Sequence, residues 1–140
     1  MVLRQFQFPA DYENGLHLWQ QAGEGIGIGP SDQPAEIEKK LRRDPDLFLV
    51  AESEGCIIGS VIGGFDGRRG MVYHLAVDAE YRHRGLGNRL MEEIESRLRA
   101  NGCRKAYLLV KQGNDAAMRF YEQRGWGDMN TIHLFGKTLD

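Results

Sequence analysis

Cysteine is scarce. Cys56 and Cys103 are the only two in 140 residues, too few and too far apart in sequence for a disulfide framework or a metal cluster. Both are expected as reduced thiols, and no metal site is expected. Long apolar runs are missing too. No stretch approaches the roughly 18 apolar residues of a membrane span. The segment from Met1 to Tyr12 carries Arg4, Pro9 and Asp11 and has no apolar stretch of signal-peptide length. Nor is there an excess of one charge: 18 basic against 20 acidic residues leave a formal net charge of -2, which gives no general attraction for nucleic acid or anionic membrane. Repeats and low-complexity tracts are absent. The expectation is a soluble cytoplasmic protein without nucleic-acid or membrane partners. Its length suits one domain over residues 1–140 with a single core.

What is present is a clear order of elements. Val2 to Phe8 alternates as a short strand, and Tyr12, Leu16 and Trp19 then fall on one face of a helix. Four glycines from Gly23 to Gly29 predict a flexible loop, a candidate lid over an acceptor and equally a plain linker. Ser31 or Asp32 should cap a second helix, with Pro34 in its first turn, Ile37 and Leu41 buried, and Asp44-Pro45 stopping it. Leu47–Glu52, Ile57–Phe65 and Met71–Val77 read as three antiparallel strands joined by tight turns. Leu86, Leu90, Ile94 and Leu98 mark the strongest helix, which Asn101-Gly102 ends. A strand over Lys105–Lys111 completes a βαβ unit, so it should run parallel to Met71–Val77. A helix capped by Asn114 and closed by Gly125 follows, then a last strand over Thr131–Leu139. The expected fold class is α+β, a mixed and mostly antiparallel sheet with one central βαβ unit and flanking helices.

The segment Arg82-His83-Arg84-Gly85-Leu86-Gly87-Asn88 lies between a strand and the start of the long helix. A helix start offers free N–H groups and the positive end of the dipole, and glycines let an anion approach the backbone. Arg82, Arg84 and Arg89 add positive charge. A lone Gly-x-Gly of this kind is more often a turn with a solvated basic face than a nucleotide site. The other phosphate loops do not fit, because no Gly-x-x-x-x-Gly-Lys-Ser/Thr occurs and Gly85-Leu86-Gly87 lacks a third glycine.

Arg82-His83-Arg84-Gly85-Leu86-Gly87 resembles the Arg/Gln-x-x-Gly-x-Gly/Ala loop of the GNAT acetyltransferase superfamily, specifically its small single-domain bacterial type. The lead-in Leu75-Ala76-Val77-Asp78 matches too, as does the later segment Asn114–Glu122 followed by Gly125-Trp126. The resemblance spans essentially the whole chain. It implies that acetyl-CoA is the co-substrate and an amine the acceptor, with direct acetyl transfer between them. It further implies that Leu75, Ala76 and Val77 pair with the pantetheine arm through their backbone. The amides from His83 to Asn88 (His83, Arg84, Gly85, Leu86, Gly87 and Asn88), with Arg82 leading the loop, would hold the pyrophosphate. Asn114 would bond the cofactor and Tyr121 would protonate the leaving thiolate. Glutamates used by histone-type and ribosomal-protein relatives are missing: Met71 and Leu109 stand there, Leu109 being expected in the fifth strand. The acceptor, a small-molecule or peptide amine, is therefore left open, as is the oligomeric state, a homodimer included.

Read without the family, Tyr121 is a core tyrosine and Asn114 a helix cap. Strand alternation groups His74 with Val72 and Ala76, opposite Tyr73 and Leu75, where it is a candidate base or a structural histidine. Cys56 and Cys103 have no arranged base nearby in sequence, which disfavours an acetyl-cysteine intermediate. Two other classes remain, a non-catalytic acyl-CoA-binding module and an adaptor using Arg68, Arg69, Arg82 and Arg84. The net acidity, and the lack of aromatics among those arginines, disfavour the adaptor.

Overall fold

In the computed structural model, which describes residues 1–140 apart from the side chain of Glu24, the sheet is set by two short turns. Strands β2 (Phe48–Ser53) and β3 (Cys56–Phe65) are joined by Glu54 and Gly55, with φ of 51° and 78°. Two positive φ values mark the turn whose twist matches that of a hairpin. The next turn is closed by Asp66, whose Oδ1 accepts the N–H groups of Arg68 and Arg69 at 2.7 and 2.8 Å. It leads into β4 (Gly70–Val77). With β1 (Val2–Gln5) and β5 (Ala106–Leu108) the sheet order is β1-β2-β3-β4-β5. Every pairing is antiparallel except β4 with β5, which are parallel and joined through a helix, as the βαβ pattern requires.

Helices α1 (Tyr12–Gln21) and α2 (Pro34–Arg43) cover one face of the sheet. Their core there joins Leu18, Trp19 and Ile37 to Phe6, Phe48, Val50, Ile62 and Ala76. Helix α3 (Leu86–Ala100) covers the other face with the Leu86, Leu90, Ile94 and Leu98 stripe, all at most 3% exposed. Each such side chain contributes roughly 1.5–3 kcal/mol by leaving water. Gly59 and Gly63 let α3 come close: a Cβ on Gly59 would stand 3.0 Å from Leu90 Cδ1, and one on Gly63 3.1 Å from Ile94 Cδ1. The absence of two side chains on β3 thus leaves room for Leu86, Leu90 and Ile94 of α3.

The chain divides into two units, Met1–Leu109 and Val110–Asp140. The second contains α4 (Asp115–Glu122), capped by the Asn114 side chain, which accepts the Ala117 N–H at 3.2 Å. Gly125, at φ 88°, follows it.

Four expectations need correction. The first strand ends at Gln5 rather than Phe8. Asp32 does not cap α2, whose N-cap is Gln33; it closes a short 3-10 turn at Pro30–Asp32 by accepting the Gly29 N–H at 3.0 Å. The strand expected over Lys105–Lys111 is only Ala106–Leu108, since β4 offers it partners only from Gly70 to Val72, so Leu109 falls just beyond it. Thr131–Leu139 forms no strand, and Leu134, Phe135 and Leu139 are exposed. Alternation supplies a face, but a strand also needs a ladder, and no pairing involves this segment among the described residues.

Candidate active site

The link from β4 to α3 combines a capped turn with left-handed residues at a helix start. Asp78 N–H donates to Ile58 O at 2.8 Å, and Asp78 Oδ1 caps the turn Ala79–Tyr81 by accepting the Glu80 N–H at 2.9 Å. His83 then takes φ 63° and Gly85 φ 80°, both left-handed, with Gly85 as the N-cap of α3. Left-handed residues next to a helix start turn successive N–H groups toward one concavity, an arrangement that binds anions. Gly85 has no side chain with which to cap α3, and first-turn N–H groups find no partner within a helix's own backbone. A Cβ on Gly85 would meet nothing within 4 Å, so the loop is open on that side. Arg82, His83, Arg84 and Gly85 are exposed, and Gly87 and Asn88 half-buried. The Leu86 side chain is buried against Gly59, so only its backbone can serve a ligand. Arg84 lies over the Tyr81 ring at 5.3 Å, and Arg82 Nε donates to Val77 O at 3.1 Å. Tyr81, Arg84 and Arg89 also line a cleft of about 250 Å³ that faces β3, where Ile58 lines it.

Immediately before this loop the sheet is open. Strand β4 pairs with β5 only from Gly70 to Val72, so Tyr73–Val77 has no strand on that side among the described residues. An extended ligand can add to such an edge through backbone hydrogen bonds. Leu75 and Val77 are half-buried there, while the Ala76 side chain is buried in the α1 face.

The same stretch holds a bulge that the sequence did not announce. On the β3 side Ser60 pairs with Ala76 and Ile62 with Tyr73, so Val61 faces both His74 and Leu75. His74 absorbs the extra residue at φ 52°. The bulge overturns the alternation expected for His74. Tyr73 and Ala76 both pair with α1-face positions, Val72 pairs with Gly63 on the α3 face, and the His74 ring packs edge-on against Trp19 at 4.8 Å. His74 therefore shares a face with Tyr73 and Ala76, not with Val72. Its Nε2 is bonded to Asp32 Oδ1 at 2.7 Å, both side chains being at most 13% exposed. Burial, with Asp44 and Asp32 nearby, raises the Tyr73 phenol above its ordinary pKa.

In the second unit, Tyr121 is half-buried, with its ring edge-on to Phe120 at 5.2 Å and to Trp126 at 6.4 Å. Burial raises its pKa above the ordinary tyrosine value, so it keeps its proton at neutral pH. Asn114 spends its carbonyl oxygen on the cap, which leaves its amide NH₂ as the group it can offer a ligand. Among the described residues no three His, Cys, Asp or Glu side chains are grouped to hold a metal, and no helix is long and apolar enough to cross a membrane. Cys56 is exposed and Cys103 buried, both as free thiols.

The chain is similar to known acetyltransferases. The model of the acetyltransferase (GNAT) family matches residues 13–126. An acetyltransferase of Sodalis glossinidius is 41% identical over 140 residues, covering 99% of this chain and 96% of the relative. The Ard1 protein of Thermoplasma volcanium has a similar structure, with TM-score 0.76 and 27% identity over 89% of this chain and 80% of that one. The PaiA N-acetyltransferase of Thermoplasma acidophilum, solved with coenzyme A, has the same fold, with TM-score 0.75 and 19% identity over 88% of this chain and 87% of that one.

Proposed function

The chain belongs to the acetyltransferase (GNAT) family, and from that premise we propose how its own residues bind acetyl-CoA and assist the transfer. It is an acetyl-CoA-dependent N-acetyltransferase, and the thioester supplies the activated acetyl group. The observation that carries the residue assignment is the succession of two backbone features: the open β4 edge at Leu75–Val77 leads, through the single turn Ala79–Tyr81, into the uncapped, left-handed loop before α3. An extended pantetheine arm suits the first and a pyrophosphate the second. In this reading Leu75, Ala76 and Val77 pair with the arm, and backbone N–H groups from His83 to Asn88 hold the phosphates, with Arg82 and Arg84 adding charge. The Asn114 amide contributes one further hydrogen bond.

The chemistry asked of the protein is modest. The amine attacks the acyl carbon, the C–S bond breaks, and the sulfur leaves as a thiolate that gains from a proton. Tyr121 is the donor in this reading, supported by its burial and raised pKa, which keep the phenol protonated. Met71, near the start of β4, offers no carboxylate base, so in this reading the amine's proton passes to water. The acceptor is a small-molecule or peptide amine, the two units act as one domain over residues 1–140, and the reaction belongs to the cytoplasm. The test is CoA thiol release with a panel of small amines, peptides and aminoglycosides. Steady turnover on at least one is expected. Tight acetyl-CoA binding with no turnover across the panel would instead indicate a binding module.

A further inference from the structure

His74 is a strained residue held from every side. A non-glycine residue at φ 52° persists only where its surroundings over-determine it. Here both ends of the residue are anchored. Its ring is bonded by Asp32 and packed on Trp19. Its carbonyl oxygen accepts the Ser60 hydroxyl at 2.8 Å, and Ser60 Oγ in turn accepts the Trp19 Nε1–H at 2.9 Å in a fully buried position. Asp32 is fixed as well: its Oδ2 accepts the Gly29 N–H, and its carbonyl oxygen accepts the Tyr12 hydroxyl at 2.7 Å. Glycine would adopt the left-handed bulge at no steric cost, yet histidine stands here and ties the bulge to the segment between α1 and α2.

The residue that follows the bulge is Leu75, the first of the open edge. We propose that Asp32 is a positioning residue which, through His74, locks the β4 bulge and so sets the direction in which Leu75–Val77 present their backbone to the cofactor's arm. The inference rests on the assignment of that edge to the pantetheine. Asp32 touches no substrate in this account. It acts on the arm of the ligand and not on the phosphates, which the loop from His83 onward holds by itself.

That division supplies the test. Calorimetry compares acetyl-CoA with adenosine 3′-phosphate 5′-diphosphate, the same nucleotide without its arm. Asp32→Ala should weaken acetyl-CoA about tenfold, the equivalent of one charge-assisted hydrogen bond, and leave the nucleotide within about twofold. Asp32→Asn keeps an acceptor for the imidazole while giving up the one for the Gly29 N–H, and should restore acetyl-CoA binding. His74→Gly takes the left-handed conformation without strain, guards against a folding failure at Asp32, and should show the same selective loss. Unchanged acetyl-CoA affinity in both Asp32→Ala and His74→Gly would overturn the proposal, as would equal loss of both ligands, the mark of a merely structural role. A wild-type protein that bound neither ligand would instead sink the cofactor reading itself, and this inference with it.

Discussion

Helices α3 and α4 begin in opposite ways. At α4 the Asn114 side chain closes the first turn by accepting the Ala117 N–H. At α3 the cap position is Gly85, which has no side chain to offer and sits at φ 80°. Four unsatisfied N–H groups are the ordinary condition of a helix start. An uncapped start beside two left-handed residues is the backbone arrangement that suits an anionic ligand, and the proposed function assigns it to the phosphates. The comparison also separates two kinds of function. In the proposed function the α3 start works through backbone, whereas α4 carries side-chain chemistry in Tyr121.

The largest expected effect falls on the side-chain half. Tyr121→Phe keeps the ring between Phe120 and Trp126 and removes only the hydroxyl. It should lower kcat on the order of 10²–10⁴-fold with little change in acetyl-CoA affinity. Because burial raises this phenol's pKa, wild-type kcat should fall only above the ordinary tyrosine range, and that alkaline fall should disappear in the variant. Unchanged kcat, with chemistry shown to be rate-limiting, would remove Tyr121 from the mechanism.

Gly85→Glu attacks the backbone half. A carboxylate placed among the N–H groups repels phosphates by several kcal/mol, so acetyl-CoA affinity should drop on the order of 100-fold or more by calorimetry. The left-handed φ adds a stability cost of roughly 1–2 kcal/mol. Normal affinity in a folded variant would show that the loop is only a turn.

Asn114 gives the smallest and most discriminating effect. Asn114→Ala should cost about 1 kcal/mol in denaturant unfolding, the usual worth of a cap. Asn114→Asp keeps a capping oxygen but loses the amide donor, so it should retain stability and weaken acetyl-CoA several-fold, about the worth of one hydrogen bond. If Asn114→Asp binds as the wild type does, Asn114 is a cap alone.

Much of this contrast was legible in the residues, and the reason is locality. The Leu86–Leu98 stripe, the Arg82–Gly87 loop and the Asn114 cap are each written within a few consecutive positions, and the structure places them as read. Features that depend on a partner strand were not legible. The bulge at His74 exists because Val61 faces two residues, which strict alternation cannot express, so it assigned His74 to the wrong face. Thr131–Leu139 has the pattern of a strand without the ladder. Asp32 carries the chemistry of a helix cap, yet its carboxylate is used 42 positions away by His74. Lone polar residues beside glycine-rich loops carry no local mark of such long-range bonds.

The central claim is that the open β4 edge and the uncapped α3 start together bind acetyl-CoA, and equilibrium unfolding with and without ligand tests it most directly. At about 100 times its dissociation constant, acetyl-CoA should raise the unfolding free energy by roughly 2.7 kcal/mol, while adenosine and NAD at the same concentration should leave it unchanged. No shift at millimolar acetyl-CoA, or an equal shift with adenosine, would contradict the account.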